Sequence, residues 1–135
     1  MSNDPIPEVD ERYNTTVQEY VEIIRDIVQM HSVARVKDIA EQRGVTRSSV
    51  STVLNVLRDL ELIEHEHYGY VQLTKNGKKL GEILTRRHTV IRNFLTICLK
   101  LNPGLADKEA CRLEHTMSSM TLNALVRFVY EECIE

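Results

Sequence analysis

Cys111, Glu114 and His115 place a thiol, a carboxylate and an imidazole at positions i, i+3 and i+4. On an α-helix these positions share one face, so three donors suited to a divalent transition metal converge on one point. A cysteine is equally at home as a small core residue, and an adjacent Glu–His pair as surface ion-pair material. Two other segments add weight to the metal reading. Glu19 and Glu22 sit i, i+3 on one face of an N-terminal helix, where they are either a solvated acidic face or further donors. His88 falls on the apolar face of a long central helix, as a core histidine or as another donor. Octahedral Mn(II) or Fe(II) calls for about six donors.

These residues must be carried by helices. Thr15 or Thr16 is the expected cap of a first helix, with Val17, Tyr20, Ile23 or Ile24, and Ile27 at helical spacing as far as His31. A second helix is expected over Val36–Arg43, ended by Gly44, and a third from Arg47 to about Leu60, capped by Thr46. Leu62 to Thr74 reads as a β-hairpin, with Ile63, Tyr68, Tyr70, Val71 and Leu73 alternating around Gly69. Thr74 then caps a long helix over Lys75–Leu99, and two more follow, Leu105–Thr116 and Ser118–Glu132. Leu122, Leu125, Val126 and Val129 make a stripe too apolar for a solvated terminal helix, so a second copy of the chain is expected to cover it.

The expected fold is therefore mainly α with a small β-wing. Residues 1–14 are expected as a disordered lead-in, 15–74 as a winged helix-turn-helix, and 75–135 as a helical metal-binding and dimerisation domain. In the helix-turn-helix, the first turn of the second helix enters the major groove. That exposes Arg47, Ser48, Ser49, Ser51 and Thr52, with Arg47 suited to a guanine edge and the hydroxyls to phosphates. Arg35 and Lys37 ahead of that helix, and Lys75 and Lys78 behind the wing, complete the expected DNA contacts.

Net charge over the whole chain is −3, which looks wrong for a DNA binder until it is divided. Residues 1–34 hold 2 basic and 7 acidic side chains, 35–92 hold 11 and 7, and 93–135 hold 4 and 6. The middle is basic, and DNA affinity follows local charge near phosphates rather than the whole-chain sum. The acidic flanks are suited to cations. There is no long apolar run, which excludes a spanning helix and points to the cytoplasm with no membrane partner. Three cysteines, Cys98, Cys111 and Cys133, are an odd number at irregular spacing, so reduced thiols are expected rather than a disulfide framework. An enzyme is not expected. Di-iron bundles place Glu three residues before His, whereas Glu114 and His115 are adjacent, and no nucleophile–base pair or small organic substrate is implied.

Arg35–Ala40, Ser48–Val50, Leu73–Lys79, Arg86–His88 and Glu109–His115 together resemble the diphtheria-toxin-repressor and manganese-transport-regulator family of metal-dependent repressors. The resemblance implies a homodimer that binds double-stranded operator DNA when Fe(II) or Mn(II) occupies a site between its domains, in control of metal homeostasis. Zn(II), Co(II) or Ni(II) would substitute in vitro. Carried over by position, it implies Glu19, Glu22, His88, Cys111, Glu114 and His115 as ligands. Iron-sensing members place cysteine where Cys111 stands, while carboxylates at Glu19 and Glu22 resemble the manganese branch. Where the iron branch has an ancillary carboxylate and an ancillary histidine, this chain has Arg92 and Asp107. The competing expectation is a winged-helix regulator that senses a non-metal ligand or redox state through Cys111.

Overall fold

The computed structural model describes residues 4–65 and 69–133, so Tyr68 at the tip of the expected hairpin lies outside the described residues. The chain divides into two compact units, one spanning Glu11–Gly81 and the other combining the N-terminal ten residues with Glu82–Glu135.

The first unit contains α1 (Thr15–His31), β1 (Ala34–Arg35), α2 (Val36–Arg43), α3 (Arg47–Asp59), β2 (Ile63–His65) and β3 (Tyr70–Leu73). Asn14, rather than Thr15 or Thr16, caps α1, its side-chain oxygen accepting from the Val17 N–H at 2.9 Å. Asparagine and threonine do the same work at this position, so spacing could not choose between them. Gly44 ends α2 in the left-handed conformation (φ 74°), which carries a penalty for any side chain. Thr46 caps α3 as expected. The strands form one antiparallel sheet in the order β1-β3-β2, with Ala34 opposite Val71 and Ile63 opposite Leu73. β1 was not expected, since two residues show no periodicity until a partner strand is present. Val21, Ile24, Ile39, Val50, Leu54, Leu57, Leu62 and Val71 fill the core of this unit.

The winged unit ends later than the expected boundary at Thr74. The first turns of α4 (Lys75–Asn93) belong to it. The Thr74 hydroxyl caps α4 through the Gly77 N–H (3.1 Å), and Arg25 donates to the Gly81 carbonyl at 3.0 Å. Gly77 is required by approach rather than by dihedral angle: a Cβ there would sit 2.1 Å from the Leu62 carbonyl oxygen.

The second unit consists of the rest of α4, α5 (Pro103–Leu113) and α6 (Ser119–Phe128). α4 and α6 each pass into a π-helical turn, Phe94–Cys98 and Val129–Cys133. The two turns are joined by a Cys98–Cys133 disulfide with a Cα–Cα distance of 5.9 Å, which corrects the expectation of reduced thiols throughout. Cysteine spacing along the chain cannot report that two helix ends meet. Cys111 stays outside that bond.

Residues 4–10 are docked onto this unit instead of forming a disordered lead-in. Ile6 is 2% exposed in a cluster with Val90, Ile91, Leu95, Ala106, Ala110, Leu122 and Val126. Its N–H donates to Asn123 Oδ1 at 2.8 Å, its carbonyl accepts from Asn123 Nδ2 at 3.2 Å, and Ser119 Oγ donates to the Pro7 carbonyl at 2.9 Å. One apolar side chain in a polar stretch carries no periodic signal. The same packing corrects the reading of α6: Leu122, Val126 and Val129 face this unit's own core. Among the described residues of this unit, Leu99, Leu105, Met120 and Phe128 are the large apolar side chains left exposed.

Candidate metal centre and nucleic-acid interface

In the helical unit, α4 supplies His88 while α5 and the turn after it supply Cys111, Glu114 and His115. Glu114 and His115 adjoin each other in the turn after α5, and His88 approaches both Cys111 and Glu114. His88 Nδ1 lies 3.8 Å from Cys111 Sγ and 3.5 Å from Glu114 Oε2. Glu114 Oε1 lies 3.4 Å from His115 Nε2. Glu114 is only 1% exposed, and a carboxylate this deep is costly unless positive charge or donors face it. Thiol, imidazole and carboxylate gathered around a buried anion form a donor set of borderline softness, which fits a divalent first-row metal.

Arg87 holds this turn in place, and its neighbour His88 masked it in the sequence. The buried guanidinium donates from Nε to the Glu114 carbonyl at 2.8 Å, from Nη1 to Ser119 Oγ at 3.5 Å, and from Nη2 to the Met117 carbonyl. Burial pushes its pKa below the usual arginine value, against the charges of Glu8 and Glu114. Asp107 enters the sequence reading only as the residue that replaces an ancillary histidine, not as a neighbour of His88. One turn before Cys111 on α5, its Oδ1 is 2.7 Å from His88 Nε2, and the donor atoms of His88, Asp107 and Cys111 all lie within 4.8 Å of one another. The i, i+4 step from Asp107 to Cys111 was the available signal.

Glu19 and Glu22, the other two expected ligands, belong to the winged unit. Glu19 forms an ion pair with Arg43 of α2, whose guanidinium carbon also lies 5.2 Å from the centre of the Tyr20 ring. Burial, with the Glu22 charge adding to it and Arg25 opposing, raises the pKa of Asp26 above the ordinary aspartate value.

The expected DNA-contacting residues are all exposed. Arg47, Ser48, Ser51 and Thr52 lie along the outer side of α3 while Val50, Leu54 and Leu57 fill the core behind them. Ser49 is partly spent on the helix cap, its N–H donating to Thr46 Oγ1 and its Oγ accepting from the Thr46 hydroxyl at 2.9 Å. The Thr52 hydroxyl donates back to the Ser48 carbonyl at 3.2 Å. Asn55 continues the same face one turn on, an amide fitted to an adenine edge that the sequence reading omitted. Arg35 lies across Tyr70, 5.2 Å from the ring centre and donating to its hydroxyl at 3.2 Å, so its head is held beside the base of the wing. Lys37, Lys75 and Lys78 are exposed on the starts of α2 and α4.

The sequence matches two family profiles. Residues 13–71 match "Iron dependent repressor, N-terminal DNA binding domain", and residues 74–131 match "Iron dependent repressor, metal binding and dimerisation domain". The transcriptional regulator MntR of Escherichia coli O6:H1 is 35% identical over 112 residues, covering 83% of this chain and 72% of that protein. The structure resembles that of T. acidophilum IdeR with a TM-score of 0.74 and 25% identity, over 95% of this chain and 57% of the other. It also resembles the manganese regulator SloR (TM-score 0.71, 29% identity), over 84% of this chain and 53% of the other. The chain thus spans little more than half the length of these two solved structures. No helix among the described residues is long and apolar enough to cross a membrane.

Proposed function

Because this chain belongs to the iron-dependent repressor family, we propose that it is a metal-dependent, DNA-binding transcriptional repressor of metal homeostasis. The observation that carries the reading is the cluster of His88, Cys111, Glu114 and His115 around a buried carboxylate, in a chain that also presents an exposed recognition helix. His88, Cys111, Glu114 and His115 would hold the ion. The resemblance adds Glu19 and Glu22, and Glu19 would have to leave Arg43 to serve.

A bound ion would supply positive charge to offset the buried Glu114 carboxylate, with Cys111 as a soft donor. The protein works as a homodimer, whose two recognition helices read half-sites about one helical turn or a multiple of it apart. A coupling of about 1–3 kcal/mol between metal and operator is enough for the switch. The family is described as iron-dependent and the relative SloR as a manganese regulator, and the donor set here fits both: Cys111 adds softness that favours Fe(II), and the carboxylates keep Mn(II) effective. The reading places the protein in the cytoplasm with DNA and assigns it no enzymatic turnover.

Operator titration with and without Fe(II) or Mn(II), using wild type and Glu114→Ala, tests the proposal. Metal-stimulated binding in the wild type that the variant loses is expected. Binding that is indifferent to metal and chelator would instead favour sensing of a non-metal ligand or redox state through Cys111.

A further inference from the structure

His88 presents both ring nitrogens to acidic partners at once. Nε2 lies 2.7 Å from Asp107 Oδ1, while Nδ1 faces Cys111 Sγ at 3.8 Å and Glu114 Oε2 at 3.5 Å. Asp107 and Cys111 sit one turn apart on α5, so a single helix face addresses the two edges of one imidazole. A carboxylate oxygen accepts, so the 2.7 Å contact is a hydrogen bond when the proton sits on Nε2. The hydrogen bond made by one ring nitrogen decides which of the two is available to a metal.

We propose that Asp107 is a positioning residue: by accepting the Nε2 proton it fixes the ring of His88 and commits Nδ1 to the ion. This rests on the proposed metal reading. It departs from the pattern the family resemblance implied, in which a histidine at this position serves an ancillary site. Here the side chain orients His88, whose other ring nitrogen faces Cys111 and Glu114. Metal-ligating histidines commonly donate their other nitrogen to a carboxylate, which fixes the tautomer and raises ligand basicity. Asp107 is 55% exposed on its side chain, so it can be exchanged with little effect on the core.

The experiment uses the full chain and has two readouts. The first is the imidazole nitrogen chemical shifts of His88 in metal-free protein, which report its tautomer. The second is Co(II) affinity, followed by the thiolate-to-cobalt absorption band of Cys111, in wild type, Asp107→Ala and Asp107→Asn. Expected are an Nε2–H tautomer in the wild type and a loss of Co(II) affinity of about 10–100-fold in Asp107→Ala. Asp107→Asn, whose amide oxygen still accepts from Nε2, should restore most of that loss with the band unchanged. An Nδ1–H tautomer, or unchanged affinity in Asp107→Ala, would overturn the proposal. An asparagine variant as weak as the alanine one, with an altered ligand-field spectrum, would make Asp107 a direct ligand and overturn it too. If the wild type takes up no Co(II), the metal reading fails first, and the tautomer measurement still decides the role of Asp107.

Discussion

The two units put their working residues in opposite environments. On α3 the side chains offered to DNA stand in solvent, backed by a core of Val50, Leu54 and Leu57 that needs nothing from them. In the helical unit Cys111 is exposed, but the centre of the cluster is part of the fabric: Glu114 is buried, its carbonyl accepts from Arg87, and its carboxylate lies between two imidazoles. A surface that reads DNA spreads its energy over many replaceable contacts, each worth little by itself. A metal cluster concentrates its effect in a few groups that position one another. Substitutions on α3 should therefore act in graded steps, and those around Glu114 nearly all-or-none.

The sharpest way to break this contrast lies in the cluster. Glu114→Ala or His115→Ala should abolish metal-dependent operator binding while leaving the weak metal-free binding measurable at low salt. A graded, partial loss in a titration would place these residues outside the ion's coordination. Next comes the disulfide. Cys98–Cys133 closes a loop with a sequence separation of 35, for which chain entropy suggests about 4 kcal/mol of stabilisation of the helical unit. Thermal unfolding in reductant should show that loss, and equal stability with and without reductant would contradict it.

In the winged unit the expected effects are smaller. Gly77→Ala would drive a Cβ to 2.1 Å from the Leu62 carbonyl oxygen, a fixed backbone atom, and should destabilise by about 1–3 kcal/mol in denaturant unfolding. An unchanged midpoint would show that the α4 start gives way easily. Arg47→Ala should weaken operator binding by about 1–3 kcal/mol at a fixed salt concentration, with stability and metal uptake intact. Full affinity would mean that α3 is not the reading element. Back in the helical unit, Cys111→Glu exchanges one donor type for another and should leave binding in place but shift the order of activating metals toward Mn(II), because a hard carboxylate replaces a soft thiolate. An unchanged order would make Cys111 a packing residue.

The same contrast explains what the sequence revealed. α2, Gly44, Thr46 and α3 are local: cap, stripe and left-handed turn are all written within a few residues, and the structure places them as read. The spacing of Cys111, Glu114 and His115 is local in the same way, although α5 ends at Leu113 and only Cys111 stands on the helix. What the sequence hid depends on distant partners. Arg87 acts through carbonyls some thirty residues away, Ile6 through Asn123, and Cys98 through Cys133. The apolar stripe of α6 was read as a dimer face because nothing local says that residues 4–10 and α4 already cover it. Asp107 carried a signal, but an aspartate one turn before a cysteine is unremarkable until His88 is seen against it.

The central claim is that metal held at Glu114 and its neighbours governs the grip on DNA. The most direct test is a fluorescence-anisotropy titration of the full chain against a duplex selected from random DNA by the metal-loaded protein. It is run at one salt concentration with Mn(II), with Fe(II) under anaerobic conditions, and with chelator. The account predicts affinity at least about 5-fold, and up to about 150-fold, higher with metal than with chelator, and no such difference in Glu114→Ala. Equal affinity with metal and with chelator in the wild type would contradict it.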